Sequence, residues 1–349
     1  MVTSLRDIAG ELGISESLVS KVLSGRMSTS GASERTVKAI NAKASELGYQ
    51  RNRAATALAS GRQAIIGVFI HRTGTRGSGL TPSLIEGISA AAVQAEQRLW
   101  LEFFRTNEDF RARQLEVHRG DVDGLIVGGV AHDSLVPELL KTEAARVPVV
   151  TVHERQLHPD LPNVGSDEAA VVRLATEHLL EQGVRQPRLI SVRRSPAASV
   201  LLDGFREALE SHRLAFTPGL VYAADYSYGA GVAAVEHWLD EGAAFDGIVT
   251  VSDQQACGAM RALLQRGVRV PEDVMLIGVD DSPMCRSNVV TLSSVSKQYE
   301  QRGRRAVEML LERTTGGTVK SAMVRPVLHV RESTSIGAGG PATRTTAGS

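Results

Sequence analysis

The sequence predicts two fold classes in one chain, a small all-α head and a large α/β body built on parallel sheets. Three observations carry this. Near the N-terminus apolar residues repeat at helical spacing in short runs stopped by Gly13 and Gly48. Beyond residue 63, apolar runs of strand length alternate with helix-length stretches, the pattern of right-handed βαβ units. The third observation is charge. Residues 1–63 hold nine Lys+Arg against five Asp+Glu, while the 349-residue chain balances at 39 of each, leaving the remainder with four excess negative charges. A cationic head on an anionic body suits phosphate binding.

In the head, Leu5, Ile8, Ala9 and Leu12 form one apolar face, and Gly13 stops the helix because it takes a positive φ without steric cost. Ile14 plugs the corner and Ser15 is placed to cap the next helix. There Leu18, Val19, Val22 and Leu23 face inward, which leaves Glu16, Ser17, Ser20 and Lys21 outside near the N-terminal end. A helix-turn-helix offers that end to base edges in the major groove. An ordinary αα-hairpin fits these residues too, but the charge favours DNA. Ser33 opens a third helix carrying Val37, Ile40, Ala44 and Leu47. After it, the Ala-rich segment Asn52–Ser60 predicts a helix too short to hold itself folded in water.

The run from Leu5 to Gly25, with Glu46-Leu-Gly-Tyr49 and Asn52-Arg-Ala-Ala-Thr-Ala-Leu-Ala-Ser-Gly61, resembles the head of the lactose/galactose repressor family. The similarity extends over roughly residues 3 to 335. It implies that Glu16, Ser17 and Lys21 read bases, and that Ala55 and Leu58, flanked by Asn52 and Arg53, belong to a hinge helix entering the minor groove. Lys donates to guanine and Glu accepts from cytosine. An inserted Leu unstacks a step and kinks the duplex. Arg51 stands where members often have Pro, Val37 where they often have Arg, and the loop Arg26–Gly31 is about three residues longer than usual.

The expected domains are a head over 1–50, a hinge over 51–63, a two-lobed effector-binding and dimerisation body over 64–336, and a disordered tail over 337–349. Expected strands are Ile65–Ile70, Trp100–Phe104, Gly124–Val127, Val147–Val152, Arg188–Val192, Gly247–Val251 and Val274–Val279. Helices are expected over Ser83–Arg98, Ala169–Gln182, Ser199–Ser211, Gly229–Glu241, Cys257–Arg266 and Glu300–Glu312. The resemblance implies two lobes like those of a periplasmic sugar-binding protein. The chain should cross between them near Asn163, Val290 and Arg325, giving lobe 1 about 64–162 and 291–325, and lobe 2 about 163–290 and 326–336. Ligands in such sheets sit beyond the carboxyl ends of the strands.

Enzymatic readings find little support. Gly74–Gly79 could cradle a phosphate or be a flexible lobe-edge loop, and it matches neither a Walker loop nor G-x-G-x-x-G. Asp280 and Asp281, adjacent on an extended strand, would point to opposite faces. His71, His153, His178 and His237 show no metal-binding spacing, and Cys257 and Cys285 are too far apart for a zinc pair. No catalytic residues, cofactor or metal are therefore expected. No apolar span of about eighteen residues and no signal-type opening run occur, so a cytoplasmic, nucleoid-associated bacterial protein without a membrane role is expected.

For the effector, the resemblance implies that Asp280 holds ligand hydroxyls. Leu201 replaces a common Arg, Ser252 a common Asn, and His153 a common Asp. Strand ends and loops add His71, Arg72, Arg76, Arg193 and Arg194, whose guanidinium groups would suit an acidic sugar or similar anion. The expected function is a homodimeric DNA-binding transcription regulator, a repressor, on a near-palindromic operator, switched by a small carbohydrate-like metabolite in the cleft. The rivals are a solute-binding protein without a DNA role and an α/β enzyme using the 74–79 loop.

Overall fold

The computed structural model describes residues 3–23, 32–49, 61–71, 80–129, 133–193, 195 and 197–335. Asn52, Arg53, Ala55, Leu58, Arg72, Arg76 and Arg194, the loop 74–79 and the tail lie outside the described residues. The chain divides into two compact units, Met1–Gln63 and Ala64–Ser349.

The head contains α1 (Leu5–Leu12), α2 (Glu16–Leu23) and α3 (Glu34–Glu46). Its entry is a capping box: Asp7 N–H donates to Ser4 Oγ at 3.3 Å, and Ser4 N–H donates to the Asp7 carboxylate at 2.8 Å. That backbone hydrogen bond holds the Asp7 carboxyl below its ordinary range. Gly13 closes α1 at φ +64°, and Ser15 Oγ accepts from Leu18 N–H at 3.3 Å. Ile8, Ala9, Val19, Val22, Ile40 and Ala44 make the buried core. So small a core is marginal without a larger neighbour or partner.

In the body, lobe 1 has a parallel sheet ordered β2 (Arg98–Phe104), β1 (Ile65–His71), β3 (Gly124–Gly128), β4 (Val149–Val152). Continuously buried β1, β3 and β4 reflect a sheet covered on both faces. One face packs on α4 (Leu80–Gln94) and α11 (Tyr299–Thr314) through Ile66, Val68, Ile88, Ala306 and Leu310. The other packs on α5 (Asn107–Glu116) and α6 (Val136–Ala144) through Phe69, Phe110, Leu125 and Leu139. Helices α4 and α11 meet backbone to backbone. A Cβ on Gly87 would overlap the Glu300 carbonyl, and one on Gly303 would crowd Leu84 O.

Lobe 2 has a six-stranded sheet. Its order is β12 (Val327–His329), β10 (Ser293–Ser296), β9 (Met275–Val279), β8 (Gly247–Thr250), β6 (Pro187–Val192), β7 (Val221–Ala224). Only β12 runs antiparallel to its neighbour among these described strands. Helices α7 (Glu168–Glu181) and α8 (Ala198–Ser211) contribute to the core on one face. Helices α9 (Tyr228–Asp240) and α10 (Asp253–Gln265) contribute to the core on the other. Cys257 and Cys285 are both reduced and buried in that second core.

A short pair of β5 (Val164–Ser166) and β11 (Ala322–Val324) links the lobes. Two differences from the sequence expectation follow from how these elements are stabilised. Strand β10 belongs to lobe 2, so the chain leaves that lobe at Lys297–Gln298 and not at Val290. Its Ser-rich face is buried by hydroxyl hydrogen bonds, which hydrophobic patterning does not register. Helix α5 was also unexpected, because it buries only Phe110 and Gln114 among charged residues.

Replacement of Gly87 by Ala should force α4 away from α11 and destabilise the body by about 1–3 kcal/mol, the cost of overpacking a close contact. Urea denaturation of the full chain checks this, with Gly219→Ala, where a Cβ meets open space, as the control.

Candidate functional site

The head places Glu16, Ser17, Ser20 and Lys21 on the exposed face of α2, while Val19 and Val22 turn into the core. This follows from 3.6-residue periodicity: once the apolar stripe is buried, the remaining positions face outward. Glu16 touches Arg6 across the turn at 4.0 Å, an exposed contact of little energetic weight. Four polar side chains, one acidic, one basic and two hydroxyls, toward the N-terminal end of a second helix are suited to reading base edges.

In the body, polar groups collect at the carboxyl ends of strands from both lobes. His153, just beyond β4, has its N–H and C=O held by Asn163 at 3.0 and 3.2 Å, and its ring Nδ1–H donates to Gly129 O at 2.9 Å. Burial drives its pKa down to about 4, aided by the nearby Arg302 charge and opposed by the Gly129 bond. The ring is therefore neutral at pH 7, with Nε2 a lone-pair acceptor.

Arg302, on α11, is buried and donates to His153 O at 3.0 Å and to Val164 O at 3.2 Å, with its guanidinium 4.7 Å from the Tyr299 ring. Lys297, in the crossing segment, donates to Glu168 Oε2 at 2.7 Å in a buried ion pair. Burial would lower the Lys297 pKa, but Glu168, Tyr299, Asp280 and Tyr226 outweigh it and hold it well above the ordinary lysine value.

Asp280 adopts φ +112° and Asp281 φ +52°, so they form a turn beyond β9 and not the extended pair expected. Asp281 is taken up by Arg331, Arg286 and His329. The turn is set by buried Asp253, which accepts from Ser294 Oγ and from Ser282 N–H, both at 2.6 Å. Burial raises the Asp280 pKa well above the carboxylate range, with Asp253, Glu168 and Glu154 adding to it and Lys297 opposing. Among the described residues, His153 Nε2, Glu168 Oε1, Asp280 Oδ1, Ser166 Oγ and Arg302 Nη1 are buried without a hydrogen-bond partner.

Other expected residues are placed differently. Leu201 lies in the lobe 2 core with Phe205 and Leu189, so it cannot present an apolar edge to a ligand. Ser252 caps α10 by accepting from Gln255 N–H and donates to Tyr226 O, so its hydroxyl proton is committed to the Tyr226 loop and is not free to donate to a ligand. Arg193 donates twice to Ala223 O, which ties its guanidinium to β7. His71 is buried at the end of β1, 3.1 Å from Arg105 O and packed on Phe104. Glu168, Lys297, Tyr299 and Arg302 went unnoticed in the sequence. The rule that ligands sit beyond strand ends would have found the first two had β5 and β10 been recognised. No group of three or more His, Cys, Asp or Glu able to hold a metal occurs among the described residues.

A helix-turn-helix head with an outward polar face, in one chain with a two-lobed body whose strand ends carry unpartnered acceptors, defines a ligand-responsive DNA-binding regulator. A family model described as "Periplasmic binding protein-like domain" matches residues 176–334. The HTH-type transcriptional regulator CelR of Thermobifida fusca is 29% identical over 95% of this chain and 98% of its own length. The lactose operon repressor of Escherichia coli K12 is 26% identical over 95% and 91%. A solved structure of a CelR–cellobiose complex superposes with TM-score 0.69 at 27% identity, covering 95% of this chain and 99% of that one. The Lac repressor dimer bound to operator and an anti-inducer shares the fold at TM-score 0.74 and 24% identity, covering 96% and 99%. Over nearly its whole length the chain is thus similar to transcription regulators that include a lactose operon repressor and CelR.

The depressed His153 pKa has a stability consequence with a definite sign. A group protonating near 6.5 when unfolded and about 4 when folded favours the fold above pH 6.5, and that contribution is lost as pH falls toward 4. The loss is on the order of 3 kcal/mol. Chemical denaturation of His153→Asn should show a visibly shallower decline across pH 6.5–4 than the parent.

Proposed function

We propose that this protein is a repressor that binds a near-palindromic operator as a homodimer and is switched by a sugar-like molecule held between its two lobes. The observation that carries the reading is the outward face of α2. Glu16, Ser17, Ser20 and Lys21 stand exposed on a helix whose other face is committed to the head core. Asn52, Arg53, Ala55 and Leu58 remain proposed DNA contacts on sequence grounds.

The sugar class is supported by the acceptors at the strand ends and by the cellobiose bound in the related CelR structure. Neutral His153 Nε2, Glu168 Oε1 and Asp280 Oδ1 all want donors, which a polyhydroxyl ligand has in quantity. Dimerisation is supported by apolar exposure around edge strand β2. Leu101 and Phe103 on β2 are exposed, with Val93 of α4 and Leu115 of α5 exposed to 73% and 64%, and both helices pack against that strand. Two half-sites need a two-fold partner, and an apolar edge is suited to supply one. The switch would be lobe closure, which changes the spacing of the two heads.

Lys21→Ala should relax base preference at one position of each half-site, at a cost of about 1–3 kcal/mol per contact. Binding of the full chain to randomised operator pools, sequenced after selection, measures this. A parent that selects no sequence would overturn the repressor reading and leave a solute-binding protein. A shift in operator affinity on adding a sugar from a neutral panel tests the switch.

A further inference from the structure

Arg302 has more donor capacity than the fold uses, and what that surplus binds rests on the reading of the cleft as an effector site. A guanidinium is a fork of N–H donors that stays protonated in proteins. Nε and Nη2 of Arg302 donate to Val164 O at 3.3 and 3.2 Å, and Nη2 also reaches His153 O at 3.0 Å. Nη1 is buried with no hydrogen-bond partner, in a side chain only 1% exposed. The carbonyls are neutral, and Arg302 forms no ion pair among the described residues. Its flat face lies on Tyr299, which favours a cation but does not cancel its charge.

The surrounding cluster does not cancel it either. Lys297 and Glu168 neutralise one another at 2.7 Å. Burial favours the uncharged form of Asp280, and the His153 ring is neutral. Glu154 lies within electrostatic reach of Asp280, but it is half-buried and so partly hydrated, whereas Arg302 is dry. The Arg302 charge is therefore left over. On β5, two residues along from Val164, the Ser166 hydroxyl is also buried without a partner and has a proton to donate.

We propose that Arg302 is a ligand-binding residue that sets charge specificity: its free Nη1 takes the carboxylate of a small monoanionic ligand, with the Ser166 hydroxyl as second donor. A buried charge without a counter-ion is costly, and a carboxylate held by charge-assisted hydrogen bonds offsets that cost. Carboxylate fits better than phosphate because a single negative charge balances the guanidinium, while a phosphate near neutral pH brings an excess. The acidic ligand expected from the sequence thus returns on a different arginine. Arg193 is tied to Ala223 O, and Arg302 reads as part of a charged helix until the fold buries it.

Because Arg302 also ties segments of the body together, the experiment must separate binding from a loosened junction. The full chain is titrated calorimetrically with glucose and galactose, and with glucuronate, galacturonate and gluconate. Thermal unfolding is followed in acetate, glycolate, the same three sugar acids and inorganic phosphate, against chloride at equal ionic strength. The parent should bind a sugar acid about ten-fold or more tighter than the neutral sugars. Carboxylates should raise its Tm above the values in chloride and phosphate. Arg302→Met should erase both the acid preference and the Tm rise, while Arg302→Lys, which keeps the charge, should retain part of each. A loosened junction alone would weaken acid and neutral sugars in proportion and leave their ratio unchanged. That result overturns the proposal, as does a parent that binds neutral sugars as tightly as acids, or a Tm that no carboxylate raises above chloride and phosphate. Should neither variant fold, the parent's ratio and Tm series decide. Operator affinity unmoved by every probe, neutral or acidic, would count against the proposed function instead, because the Tm series reads Arg302 without DNA.

Discussion

A guanidinium with no carboxylate partner among the described residues holds the junction of the two lobes. Arg302 is always charged, and moving a charge out of water costs several kcal/mol unless hydrogen bonds replace the lost hydration. Its bonds go to His153 O at the end of β4 and Val164 O in the first crossing, while its flat face meets Tyr299 at the start of α11. The end of the lobe 1 sheet and the first crossing are thereby held to a helix more than 130 residues further along the chain. The crossing strand, the end of the lobe 1 sheet and the returning helix must keep their registry, or Arg302 is left buried without bonds.

The polar cluster grows outward from that point. Asn163 fixes the His153 backbone, which aims the ring, and the Gly129 carbonyl selects its tautomer. Two residues beyond Ser166, Glu168 opens α7 and meets Lys297 from the second crossing. Across the cleft, Asp253 accepts from Ser282 and Ser294, so the Asp280 turn keeps its unusual backbone without help from a ligand. Groups so held are preorganised, and preorganisation lowers the entropic cost of binding. The same groups are poor core material: unpartnered acceptors in a dry site destabilise the fold, and a ligand that satisfies them stabilises it.

Three side chains expected at the cleft take partners within the protein. Leu201 and Ser252 occupy positions where the family resemblance implies ligand contacts, and Arg193 lies at a strand end, yet each is engaged elsewhere: a core, a helix cap and a strand edge. Position along the chain says where a side chain starts. Which of several nearby partners it takes is a competition, and for these three a partner within the protein wins. Lys297 and Arg302 show the converse. In sequence they are two more cations in a charged stretch, a pattern that ordinarily describes a solvated face.

The chain's local chemistry determined a good deal without tertiary information. Short apolar runs bounded by Gly and Ser fixed the three head helices, and the outward face of α2 followed from their periodicity. Alternating apolar and helical stretches were enough for parallel sheets, because strands buried on both faces read as continuous runs. Tertiary structure alone decided β10 and α5, whose burial relies on hydroxyls and a few residues among charges, and it decided the second crossing. It also decided the electrostatics of the cleft. A charge in sequence has no dielectric and no partner, and both arise only when segments more than a hundred residues apart, such as Glu168 and Lys297, are brought together out of water.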